Sequence, residues 1–90
     1  MNIVRIKDGY MLREVAGNSI VVAVGKATLN FNGLISLNDT GTFLWKLLSE
    51  DATEQALLVA MLNEYEIDSA TASKDITEFI EQLKGANLLV

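Results

Sequence analysis

The sequence predicts an α+β fold, a small antiparallel three-stranded sheet followed by three helices, on three observations. Up to residue 37 the apolar residues alternate or run in short β-branched bursts, which is the period of strands. Beyond residue 37 they recur three and four apart, which is the period of amphipathic helices. Strands first and helices afterwards place the helices on one face of the sheet. Half of the 90 residues are hydrophobic, so a single domain spanning residues 1–90 can bury a core.

The elements follow in order. In "YMLREV" (10–15), Met11, Arg13 and Val15 share one face and Tyr10, Leu12 and Glu14 the other. "AGNS" (16–19) has turn composition. "IVVAV" (20–24) is continuous and β-branched, which suits a strand buried on both faces. Gly25-Lys26 breaks it. "ATLNFN" (27–32) reads as a short strand or a long loop. Gly33 then precedes "LISL" (34–37), a last short strand.

Asn38 or Asp39 can cap the first helix, because a short polar side chain accepts from the orphan N–H groups there. Phe43, Leu44, Leu47 and Leu48 form its apolar face, with Trp45 at the flank. After "SED", Asp51 or Thr53 caps the second helix, and Leu57, Leu58, Met61, Leu62 and Tyr65 are its stripe. Asp68 or Ser69 caps the third, whose stripe is Ala72, Ile76, Phe79, Ile80 and Leu83. Gly85-Ala86-Asn87 is a stop signal, and "LLV" (88–90) folds back or pairs. A winged-helix-like arrangement is the compact solution.

Composition removes whole classes of function. The chain has no Cys and no His, so thiolate chemistry, the common zinc ligands and the commonest general base are absent. The serines have no histidine to activate them. Glu64, Glu66 and Asp68 crowd a helix end and read as solvated, and Asp75, Glu78 and Glu81 read as a solvent face. No glycine-rich phosphate loop is present. Catalytic, cofactor and metal sites are therefore not expected. Neither the start of the chain nor any apolar run has the length of a signal peptide or membrane span, and a cytoplasmic protein is expected. The net charge is −5 and the seven cations are scattered singly. Nucleic acid needs several on one face, so it is not an expected partner; a winged-helix regulatory or protein-interaction domain is the alternative function.

An edge strand remains. "LISL" carries no charge and no proline to blunt it. Either a helix or "LLV" covers it, or it receives an extended peptide, or it pairs with a second copy to give a homodimer. About four backbone hydrogen bonds at ~0.5–1.5 kcal/mol each fall short of the ~8 kcal/mol of micromolar binding. Apolar anchors must join, and on the third helix Phe79 is the candidate.

"SLNDTGTFLWKLL" (36–48) resembles the Leu-Asn-x-Thr-Gly/Ala-x-x-(Ile/Leu)-Trp-x-Leu-Leu signature of the PqqD-like family. The opening strands "YMLREVAGNSIVVAVG" and the acidic turn, two helices and Gly-x-x-Leu-Leu ending of residues 51–90 agree with it. The resemblance covers roughly residues 8–90 and rests on order and spacing. It implies a recognition element for ribosomally made, post-translationally modified peptides. Such a domain holds the precursor's leader segment as an added strand and presents it to a separate modifying enzyme, for instance a radical S-adenosylmethionine enzyme. Carried over, Leu34, Ile35, Ser36 and Leu37 form one wall of the groove, and Ile76, Phe79, Ile80 and Leu83 the other. The signature itself is implied to be structural: Asn38 caps, Thr40 and Gly41 allow close packing, and Trp45 packs against the domain. The family members that make pyrroloquinoline quinone carry Tyr-Pro before the third strand. "NFNGL" stands here instead, which directs the expectation to other peptide pathways.

Overall fold

The computed structural model describes residues 3–25, 28 and 35–90. The expectations for "ATLNFN", apart from Thr28, and for Gly33 and Leu34 lie outside the described residues. In chain order the elements are β1 (Ile3–Val4), β2 (Tyr10–Val15), β3 (Asn18–Ala23), β4 (Ile35–Leu37), α1 (Asp39–Leu47), β5 (Ala52–Thr53), α2 (Glu54–Glu64) and α3 (Ser69–Gly85).

The main sheet is antiparallel in the order β2-β3-β4. Val15 pairs with Asn18, so the hairpin turn is Ala16-Gly17 alone, shorter than the four residues of turn composition. Both central residues have positive φ, 52° and 80°, the conformation whose twist matches the flanking strands. The alternation in β2 holds. Tyr10 and Leu12 pack on the core, whereas Met11 and Val15 are exposed. In β3 only Val21 is fully buried, so this strand is not buried on both faces as its composition suggested.

Each helix starts on a side-chain cap. Asn38, Thr53 and Asp68 accept from the N–H groups of Gly41, Ala56 and Thr71. The core joins Val21 and Leu37 of the sheet to Leu44, Trp45 and Leu48, to Leu57 and Met61, and to five residues of α3. Trp45 is buried in it, in agreement with its reading as a flank of the core. Edge-to-face stacking of Phe43 on Tyr65, ring centres 5.5 Å apart, ties α1 to the end of α2.

One layer was not foreseen. β1 pairs with β5 through Ile3↔Thr53 and Val4↔Ala52, and Ile6 bridges to Leu89. "LLV" therefore closes onto the N-terminal segment. The Lys7 N–H donates to the Leu88 carbonyl at 2.8 Å and the Val90 N–H to that of Arg5 at 2.9 Å. Two-residue strands carry no readable period, so nothing in the sequence pattern marks them. Among the described residues no helix is long and apolar enough to cross a membrane.

Candidate functional site

Because the sheet order is β2-β3-β4, β4 is a rim strand. Its partners on β3 are Val21, Ile20 and Ser19, opposite Ile35, Ser36 and Leu37. Successive residues of an antiparallel strand turn their N–H and C=O groups to opposite sides, so part of this strand's hydrogen-bonding capacity points away from β3. "LLV" is engaged at the chain start and does not cover this rim.

The rim is tied to α1 by hydrogen bonds. Strand gives way to helix within one residue, and Asn38 Oδ1 fixes the junction by accepting from the Gly41 N–H at 2.8 Å and the Thr40 hydroxyl at 3.1 Å. The Thr42 hydroxyl donates to the Asn38 carbonyl at 2.9 Å. A methyl group at Gly41 would lie 3.1 Å from Asn38 Oδ1 and 3.4 Å from Leu37 Cβ. The glycine thus lets the first turn of α1 sit against the end of β4.

Between this junction and α3 runs a cleft of about 240 Å³. Ser36, Leu37, Asn38, Thr40 and Gly41 line one side, and Asp75, Glu78, Phe79 and Gln82 the other. On α3 these four fall at i, i+3, i+4 and i+7, a single stripe. Phe79 is its apolar member and is only 5% exposed.

The expected site residues separate into groups. Ser36, Leu37 and Phe79 line the cleft together. Ile35 is in β4, partly buried against the core. Ile76, Ile80 and Leu83 are core residues, 3%, 5% and 0% exposed, and none lines the cleft. The helical wall is therefore shifted by part of a turn, and it is more polar than an apolar stripe would be. Asp75 and Glu78, read from the sequence as a solvent face, and Gln82, not singled out there, were not among the expected residues. Their spacing from Phe79 was the available signal.

A wider hollow, about 630 Å³, lies among Ile3, Arg5, Ile80, Lys84 and Val90. There the backbone is already engaged, β1 with β5 and Val90 with Arg5, so it offers less to an extended chain. Among the described residues, no cluster of three or more acidic side chains is placed to hold a metal, and no buried side-chain polar atom lacks a partner. The acidic group around residues 64–68 is exposed, and Asp68 is committed to its cap at 2.7 Å.

Residues 20–89 match the family described as "Coenzyme PQQ synthesis protein D (PqqD)". No curated protein matches the chain. Two solved structures share the fold over nearly the whole length. TbiB1, solved in complex with the TbiA(beta) leader peptide, is 21% identical with a TM-score of 0.75, covering 94% of this chain and 93% of its own. A lasso peptide synthetase B1, complexed with the leader peptide, is 18% identical with a TM-score of 0.72, covering 97% of this chain and 96% of its own.

Proposed function

This chain belongs to the PqqD family, and from that premise we propose that it binds the leader segment of a ribosomally made precursor peptide and presents it to a separate modifying enzyme. The observation that carries the reading is the cleft between a rim strand and a helix. The leader adds to β4 as a further strand, and its side chains on one face meet Phe79 and the polar residues of α3. Both fold relatives were solved with leader peptides, which supports the same mode of use here.

The chain acts without catalysis of its own. Its contribution is to fix the peptide's position, which raises the peptide's effective concentration at a tethered enzyme. A radical S-adenosylmethionine enzyme is one class of partner. Backbone bonds along three residues supply only about 0.5–1.5 kcal/mol each, so the Phe79 contact and the enzyme's own contacts must complete the affinity.

The test is a titration of isotope-labelled protein with leader peptides encoded by small reading frames beside the gene, read by amide NMR. Shifts confined to residues 35–41 and 72–84 are expected. Shifts elsewhere, or none with any such peptide, sink the reading. Phe79→Leu should weaken binding several-fold. Because it also shrinks a buried core side chain, some stability is lost with it, and unfolding is measured in parallel so that only a variant still folded is scored for binding.

A further inference from the structure

We infer that the cleft selects a leader segment carrying a lysine or arginine two residues from an apolar anchor. This inference rests on the leader-binding reading and adds to it the chemistry of the peptide.

The helical wall sets out the pattern. Phe79 is flanked by Asp75 and Glu78 towards the start of α3 and by Gln82 towards its end. No lysine or arginine is among the described residues that line the cleft. Neither carboxylate has an ion-pair partner among the described residues; the ion pair there is Arg5 with Asp51, far along the chain. Lys74 and Lys84 sit on the same helix outside the cleft lining. An extended peptide between β4 and α3 thus meets one apolar surface and two carboxylates that form no ion pair among the described residues.

Spacing converts this into a sequence pattern. From Asp75 to Phe79 the helix rises about 6 Å. Alternate residues of a strand are about 6.6–6.8 Å apart on one face. For a peptide running along α3, a side chain that reaches Phe79 has its i±2 neighbour at the level of Asp75. Glu78 stands beside both. A cation there gains from two carboxylates, whereas an acidic residue is repelled at close range. The apolar residue supplies affinity and the cation fixes direction and register, because reversing the peptide carries the charge to Gln82 instead.

The experiment selects a phage-displayed library of random dodecapeptides on the full chain and on the Asp75→Asn/Glu78→Gln double variant. These replacements are nearly isosteric, and matched unfolding midpoints establish that the variant is folded. With the native chain, lysine and arginine should outnumber aspartate and glutamate several-fold at a position two residues from an apolar one. The double variant should lose that preference and keep the apolar one. It should bind a synthetic selected peptide about 3- to 10-fold more weakly, as expected for two partly exposed ion pairs. Amide shifts on residues 35–41 and 75–82 without a cation preference overturn this inference and leave leader binding standing. Selected peptides that shift other residues, or a library with no binders, overturn both.

Discussion

Asn38 shows how much one side chain carries. Its carboxamide caps α1, holds Thr40 and lines the cleft at once. Asn38→Ala should cost about 1 kcal/mol, the usual loss of an N-cap, measured by urea unfolding. Its neighbour departs from the rule for helical glycine. Glycine to alanine inside a helix ordinarily gains about 1 kcal/mol, but at Gly41 the new methyl would crowd the cap oxygen at 3.1 Å. Gly41→Ala should therefore show no gain, and an unfolding midpoint raised by the full helical increment would refute the packing argument. The cap at Asp68 is testable through pH. The Thr71 N–H, and then the Thr71 side chain, hold this carboxyl below its ordinary value of 3.8. A depressed carboxyl contributes stability that is fully present above the ordinary value and lost as pH falls through the folded one. Stability should thus fall on acidification below about pH 4, and Asp68→Asn should flatten that part of the profile in pH-dependent thermal unfolding.

At the scale of elements, period decided what was legible. The stripe of α3 and the faces of β2 follow from 3.6- and 2-residue spacing; the α2 stripe holds at Leu57 and Met61, but Leu62, expected in it, is exposed. The three capping residues were each among the candidates read at the boundaries. What escaped has no period. β1 and β5 are two residues each, and they pair the start of the chain with the connection between α1 and α2. The stop after α3 was read from Gly85-Ala86-Asn87, and within it the residue in the left-handed region is Asn87, at φ 61°, which asparagine tolerates better than most. The clasp it leads into has an energetic consequence. Leu88 is fully buried and sits between Lys7 and Leu83 through backbone bonds of 2.8 and 2.9 Å. Leu88→Ala should destabilise the protein by about 2–5 kcal/mol, a large share of a small domain's total. A cost below about 1 kcal/mol in chemical unfolding would mean that the C-terminal clasp is not part of the cooperative core.

At the scale of the whole molecule, charge and topology decide between partners. The family resemblance implied a groove between β4 and α3, but which flank of α3 lines the cleft found there is a matter of packing. Ile76, Ile80 and Leu83 lie in the core away from the cleft, whereas Phe79, also a core residue, reaches the cleft beside the acids. An amphipathic stripe wide enough to serve both surfaces cannot be divided by sequence alone. A winged-helix outline suggests nucleic acid, and the electrostatics oppose it. Twelve acidic residues face seven basic ones, and α3, the helix that would enter a major groove, bears Asp75, Glu78 and Glu81. Bringing that surface to a duplex sets carboxylates against phosphates, with no clustered cations to release counterions. Duplex DNA should therefore give no mobility shift, even at about 50 mM salt, where non-specific binding is strongest. A peptide held in the cleft should do the opposite to stability. At about a hundredfold excess over its dissociation constant it adds about 2.7 kcal/mol by mass action, which differential scanning calorimetry reads as a rise in Tm of several degrees. A DNA shift that weakens with salt, with no Tm change from any selected peptide, would reverse this ordering and make the molecule a regulatory domain.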